Sequence, residues 1–561
     1  HEDIIDGRFQ NAINARRLTA ADLAATSEAA ILNWSGTSSA KVGDIVCNAA
    51  YLAAVNGGVP AGTRQDFVKG CLPMNIFGFG ARSEESRDWV TQYLTSEGTN
   101  EQTVFNANVS GVAVDLPAGP LQFVIGYEGR KEEAEFIPGN GLDVQLGRTL
   151  ATPPAGGSYD TNEFFGEVLV PIFGEDQGIP GLNLLELNGA VREIDNSIAG
   201  NATVWTLGGR WAPIQDLVFR ANYTESVRAP SLVELYLPIT NVFSMANDPC
   251  DRRFVNNGPD PANRRANCIA DLGPGYDPTT FDSAIVAAIR SGRTGGNPDL
   301  LNETAESYSV GLTFQPTFWE NFVFTADYIN IELQDAISSL TLTALMDACY
   351  DAPGGGAAPC SQFSRDAAGQ VVDFQSGQTN ASLSTVEVMN YMATYNLDMD
   401  SWGSLLSRLR LSNTLERALS VIGGVPTSDL GEFVDPEWSG TLDLNWELAN
   451  SFRVAYRLLW QPPSKFDSTG AIVFQYPTPA DPTDNSSNIV TKSDTWWMSN
   501  LAVSYDFAPM FGRGHVETLV GQLAINNLFD HQPDTLQQAW LHYGLDEVLG
   551  RQISVSLQAG F

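Results

Sequence analysis

The chain ends on "RQISVSLQAGF" (Arg551–Phe561). Its last nine residues alternate without a miss: Ile553, Val555, Leu557, Ala559 and Phe561 on one face, Ser554, Ser556, Gln558 and Gly560 on the other. Period two is the signature of a strand with one apolar face. Chain ends usually fray into polar tails, whereas this strand carries a greasy stripe to its final residue. That stripe needs something apolar to touch.

The same pattern recurs upstream. Phe452, Val454, Tyr456, Leu458 and Trp460 alternate with Arg453, Ala455, Arg457, Leu459 and Gln461. Leu442, Leu444, Trp446 and Leu448 alternate with Thr441, Asp443, Asn445 and Glu447. Runs of about ten residues suit tilted strands crossing a bilayer. A soluble sandwich also alternates, so two further features decide. Tryptophans sit near strand ends, at Trp205/Trp211, Trp438/Trp446, Trp460 and Trp496/Trp497, as interfacial girdles do. Connections run short, long, short, long: "LPAGP", "APIQD" and "ELANS" against 227–303, 334–385, 462–494 and 528–549. The expectation is all-β, a transmembrane antiparallel up-and-down barrel with short periplasmic turns and long extracellular loops. Its strands fall near 103–115, 119–136, 162–171, 183–194, 201–212, 215–226, 304–315, 321–333, 386–398, 404–416, 437–447, 451–461, 495–507, 515–527 and 550–561. Residues 1–100 are expected as an extracellular loop or insert region and 101–561 as the barrel portion. Bacterial single-chain barrels have even strand numbers, so this odd set anticipates an odd number of strands upstream.

Composition removes other classes. No run approaches the ~18 apolar residues of a membrane helix. The formal charge is −35, from 66 acidic and 31 basic residues. That surface repels phosphate backbones and excludes nucleic acid as a partner. Six cysteines fall into local pairs, Cys47/Cys71, Cys250/Cys268 and Cys349/Cys360, all on the long-loop side. They read as disulfides closing surface loops in an oxidising compartment, the alternative being six unrelated thiols. With four histidines and no CxxC spacing, no zinc cluster is expected. GxSxG, HExxH and P-loop motifs are absent, so neither an enzyme nor a cofactor is expected.

Several segments resemble TonB-dependent outer-membrane receptors: "CLPMNIFGFGARSEESRDWV" (Cys71–Val90), "DLPAGPLQFVIGYEGRKE" (Asp115–Glu132), "VRAPSLVELYLP" (Val227–Pro238), "GNPDLLNETAESYSVGL" (Gly296–Leu312), "ADYINIELQDAI" (Ala326–Ile337) and "NNLFD" (Asn526–Asp530). They occur in that family's order. The resemblance implies a 22-stranded barrel of the bacterial outer membrane, plugged by an N-terminal domain. It also implies import of a large or scarce nutrient such as a siderophore, cobalamin or oligosaccharide, with energy from TonB. This chain shows neither plug nor TonB box and reads as the C-terminal portion of such a receptor, so contact with the TonB complex would run through the absent region. Ile553, Val555, Leu557, Ala559 and Phe561 would be the signal to the barrel-assembly machinery, and the edge of 550–561 would lie unpaired or paired to a non-native strand. A passive porin and a soluble or surface carbohydrate-binding adhesin are the other readings.

The candidate site residues are inward charges. Arg on the lipid face at mid-bilayer costs ~2–4 kcal/mol. Glu128, Arg130, Glu186, Arg192, Arg210, Arg220, Arg408, Arg410, Asp443, Arg453 and Arg457 therefore face the lumen, facing water or a plug with cross-strand ion pairs, or reading substrate charge. In "RAPSLVELYLP", Pro230 and Pro238 interrupt pairing. The segment is either a turn opening a long loop or a lumen-side piece in which Leu232, Leu235 and Tyr236 pack and Arg228 meets an acid.

Overall fold

The structure, a computed structural model, describes residues 2–355, 357–421, 428–432, 435–448, 452–465, 472–475, 487–490, 495–510, 517–531 and 550–560. Fifteen strands form one antiparallel sheet in chain order: β1 (Thr95–Leu116), β2 (Gly119–Gly139), β3 (Ala155–Phe173), β4 (Leu184–Asn196), β5 (Gly200–Ile214), β6 (Leu217–Arg228), β7 (Glu303–Phe314), β8 (Phe322–Ser339), β9 (Gln378–Asp398), β10 (Ser404–Val421), β11 (Trp438–Leu448), β12 (Phe452–Gln461), β13 (Trp496–Asp506), β14 (Thr518–Asn526) and β15 (Gln552–Gly560). Every expected strand is present. Several run further than expected at the long-connection end: β1 starts at Thr95, β3 at Ala155 and β9 at Gln378. The stretch "TSEGTNEQ" (Thr95–Gln102) is polar on both faces, so alternation cannot reveal it. Among the described residues β15 pairs only with β14 and β1 only with β2, so the sheet has two open edges. Phe561, and most of 462–494 and 528–549, lie outside the described residues.

Register sorts the side chains into two faces. Arg220 stands opposite Gly311, Gly311 opposite Asp327, Asp327 opposite Asn390, and Asn390 opposite Ser412. The other face carries Leu444 opposite Tyr456, Tyr456 opposite Leu501, Leu501 opposite Ile525, and Ile525 opposite Ile553. Here the last strand's stripe continues its neighbour's, and Val555 is 79% exposed.

Two bands of rings bound this apolar face. Near the long connections Trp205 meets Tyr223 at 5.1 Å, Tyr308 meets Tyr328 at 5.8 Å, and Tyr391 stacks with Trp438 at 6.3 Å. Near the short turns Trp211 stacks on Phe219, Trp319 on Phe322, and Trp402 on Trp446. Trp438 and Trp446 are eight residues apart on β11, about 26 Å along a strand, which matches an apolar band ~25 Å tall between aromatic girdles. Just beyond the first band the face turns acidic. Glu225 accepts from Trp205 Nε1 at 2.8 Å and Glu306 from the Tyr223 hydroxyl at 3.0 Å. One expected girdle residue differs. Trp496 pairs with Gln461 on the polar face and is buried, because its neighbour Trp497 takes the outer position and adjacent strand residues point opposite ways.

Two folded units stand at the long-connection end. Residues 2–94 contain five short helices, α1 (Asp6–Ile13), α2 (Ala20–Ala25), α3 (Glu28–Trp34), α4 (Asn48–Asn56) and α5 (Glu84–Val90). Leu18, Ile31, Val46 and Tyr51 form one small core there, and Ala50 packs in another beside the Cys47–Cys71 disulfide. The unit touches the β2–β3 connection, where Asp3 accepts from the Thr149 N–H at 2.9 Å and Arg148 pairs with Asp6 at 3.2 Å.

The second unit is a cap made jointly by the connections after β6 and after β8. It includes α6 (Leu232–Tyr236), α7 (Pro261–Leu272) and α8 (Leu342–Asp351). Ile285, Met346, Tyr350, Val371 and Phe374 form its core with the Cys250–Cys268 disulfide; the Cys349–Cys360 disulfide packs at that core's edge. Each disulfide contributes roughly 3 kcal/mol in the chain-entropy model. So small a unit depends on them.

Leu442→Arg on the apolar face is expected to destabilise the sheet by ~2–4 kcal/mol, while Thr441→Arg next to it changes little. Denaturant unfolding in lipid vesicles measures both.

Candidate functional site

The cap is fastened to the polar face by α6. Pro230 cannot donate to the ladder, so pairing stops after Arg228. Ser231 then caps the helix: its hydroxyl accepts from the Glu234 N–H, and Glu234 reaches back to the Ser231 N–H at 2.7 Å. This Ser-x-x-Glu capping box starts a five-residue helix that would be marginal alone. Burial of Leu232 and Leu235 against Tyr159, Leu300 and Ala134 holds it. Tyr159 and Ala134 are on the polar face of β3 and β2, so the segment lies inside the wall rather than outside. Tyr236 lies over Gly157, where any Cβ would come within 2.3 Å of its ring.

Arg228 clamps this junction. Its guanidinium pairs in bidentate fashion with Glu234 at 3.0 Å on both arms and also binds Glu303, which is buried. The second Glu303 oxygen accepts from the Ile337 N–H at 2.6 Å. One cation thus ties the end of β6, α6, the start of β7 and the end of β8.

The other charges expected on the inner wall share the polar face, and all but Arg408 are paired. Arg130 meets Glu128 at 2.5 Å, Arg192 meets Glu163 at 2.5 Å, and Arg210 meets Glu186 at 2.8 Å. Arg220 grips Asp327 at 2.6 Å, Arg410 and Arg457 share Asp443, and Arg453 lies 3.4 Å from Glu447. Arg408 faces Asp443 across the ladder but makes no ion pair among the described residues, and its buried Nε has no partner. The acids Glu163, Asp327, Glu234, Glu303 and Glu447 complete these pairs and were not among the expected site residues. Strand parity puts Asp327 on the Arg220 face, but only the register β6–β7–β8 brings the two together across Gly311, where a Cβ would sit 2.0 Å from the Asp327 carboxylate.

The cap has buried charge of its own. Arg365 and Asp248 pair at 2.7 Å with almost no exposure, and Arg264 pairs with Asp351. Burial opposes the charge on Arg365, but the Asp248 carboxylate outweighs it and holds the guanidinium above its ordinary range. Burial pushes the Tyr276 phenol up to about 12, where its hydroxyl donates to the Cys250 carbonyl at 2.7 Å. Burial also opposes the charge on Asp251, yet the Arg253 guanidinium and the N–H groups of Arg253 and Ser283 hold that carboxyl below the usual range.

An apolar outer face between ring bands, a charged inner wall and a disulfide-tied cap rooted in that wall define the wall of an outer-membrane β-barrel. Residues 30–528 match the family described as TonB dependent receptor-like, beta-barrel, and the chain belongs to that family. It is an outer-membrane family of receptors and transporters, not of enzymes. No curated protein matches the sequence. Among solved structures, the chain is similar to a ferric enterobactin receptor mutant from Pseudomonas aeruginosa, at 14% identity and TM-score 0.49, over 83% of this chain and 55% of that one. It is similar to the siderophore receptor PirA from Acinetobacter baumannii at 12% identity and TM-score 0.48, over 84% and 55%. It is also similar to the outer membrane transporter YddB from Escherichia coli at 12% identity and TM-score 0.46, over 78% and 51%. The chain spans about half the length of these structures.

Arg228→Ala is expected to cost about 1–3 kcal/mol by leaving the Glu303 carboxylate buried without its cation. Hydrogen exchange over 229–238 should rise while the central strands stay protected. Gly157→Val should release α6 from the other side. For Asp251, the depressed carboxyl contributes stability above its unfolded value near 3.9, and that contribution is lost as pH falls through its lower folded value. Asp251→Asn should therefore remove part of the acid sensitivity of cap unfolding, read as tryptic cleavage within 229–303 after incubation from pH 7 down to 2.5.

Proposed function

We propose that this chain is the barrel portion of an active importer that carries a scarce or bulky nutrient across the outer membrane under TonB control. The observation that carries the reading is the rooting of the cap in the inner wall through α6 and Arg228. A cap fixed to the wall stands where an incoming molecule first meets the protein. The 2–94 unit is proposed as a second extracellular element on the same rim, since β1 leaves it at the end where Thr95 pairs with Gly139.

The paired wall arginines serve to neutralise the lumen surface. Arg408 is proposed as the wall cation available to a plug or a passing substrate. The stripe Ile553, Val555, Leu557 and Ala559, with terminal Phe561, is proposed as the recognition signal for the assembly machinery. The passive-porin reading loses ground to the cap, which would obstruct free diffusion.

Deleting the encoding gene in its host is expected to abolish uptake of the nutrient, and deleting the energy-coupling partner should abolish it equally. Uptake that persists without the partner but needs this gene would establish the passive porin instead.

A further inference from the structure

At the foot of the cap, where it meets the ends of β8 and β9, lies a cavity of about 390 Å³. Its floor is backbone. The turn Thr294–Asp299 crosses under α6 so closely that a Cβ on Gly296 would lie 2.6 Å from the Leu235 carbonyl oxygen. The next crossing, at Gly377, would put a Cβ 2.8 Å from the Gly295 oxygen. Glycine at these positions lets three chain segments meet without side chains between them, and the room above them stays open.

The walls have an unusual chemistry. Gln362, Gln375 and Gln378 line the space, the first two exposed and Gln378 partly buried, and no described residue takes their carboxamides. Asn297, by contrast, is already committed: it donates to the Gln378 carbonyl at 3.1 Å and accepts from the Asp299 N–H at 3.0 Å. Leu340, Leu345 and Pro298 supply an apolar side. No Lys, Arg or His lines the cavity, and its one charged group is the Asp299 carboxylate.

Each carboxamide presents a donor and an acceptor on one head, which complements a hydroxyl group that is both. An anionic ligand would find no cation to receive it there, next to a carboxylate, on a chain of charge −35. A ring with hydroxyls at its edge and C–H groups on its face satisfies both the amides and the apolar side. The volume falls within the ~300–1,000 Å³ of small-molecule sites.

We propose that this cavity binds an uncharged polyhydroxylated ligand, one or two sugar units of a neutral oligosaccharide. The assignment names the substrate class of the importer and rests on that reading for its physiological meaning, but binding itself does not depend on transport.

The test is titration calorimetry on the full chain in detergent, with maltose, cellobiose, xylobiose and their tetramers as neutral probes. Digalacturonate and a ferric tris-catecholate complex serve as anionic probes. At least one neutral sugar is expected to bind, unaffected by raising salt from 50 to 500 mM, while the anions do not. Gln375→Ala with Gln378→Ala should weaken that binding at least tenfold. Gln375→Glu, which keeps the side chain's size, should weaken it too. Absence of binding by every neutral probe, binding of the catecholate complex instead, or sugar binding unchanged in both variants would overturn the proposal. Sugar binding in vitro without energy-dependent uptake in cells would sink the importer reading and leave the cavity's assignment standing.

Discussion

The constraint on which the rest of the structure depends is the absence of water in hydrocarbon. A backbone crossing lipid must satisfy every N–H and C=O within the protein, and a charged side chain there must turn inward. The fifteen-strand ladder answers the first demand everywhere but at the outer edges of β1 and β15, and strand parity answers the second. Arg220, Arg410 and Arg457 share one face with Asp327 and Asp443, while Leu444, Leu501 and Ile553 share the other. The girdles follow, since Trp205 and Trp446 have an apolar body for lipid and an N–H that finds Glu225 and the Trp402 carbonyl.

The same segregation prepares a place for the cap. An inner wall crowded with charge is a poor seat for an apolar helix. The seat exists because the wall changes at its rim, from Glu128 and Arg130 to Ala134, Gly157 and Tyr159. Leu232 and Leu235 bury themselves there, and Arg228 closes the junction against two glutamates. The ion pair alone, with Arg228 half exposed, would be worth little. It matters because Glu303 is buried and would otherwise lack a partner.

The cap itself is too small to fold on apolar burial alone. Its core holds two buried aromatics, Tyr350 and Phe374, with Met346 and a few aliphatics around them, and the balance comes from two disulfides and from buried pairs such as Arg365–Asp248. Such pairs are demanding in geometry and leave little freedom.

Much of the architecture was legible in the residues because lipid imposes a short-range rule. The last nine residues of "RQISVSLQAGF" state it, and each strand obeys it independently, so strand positions, the strand face that carries the arginines and the disulfide partners could be read locally. What could not be read there depended on residues far apart in the chain. The polar extension at Thr95–Gln102 pairs only because β2 runs beside it. Trp496 turns inward only because Trp497 does not. Glu163, Asp327 and Glu303 become partners through register, and Gln362, Gln375 and Gln378 line one cavity because the connection after β8 folds against the turn Thr294–Asp299 of the connection after β6. The sequence by itself determined which face of each strand meets lipid, since that depends on a two-residue period. Only the tertiary structure decided which acid meets which arginine and where the cap leaves a cavity, because those depend on chain segments separated by tens of residues being brought within hydrogen-bonding distance.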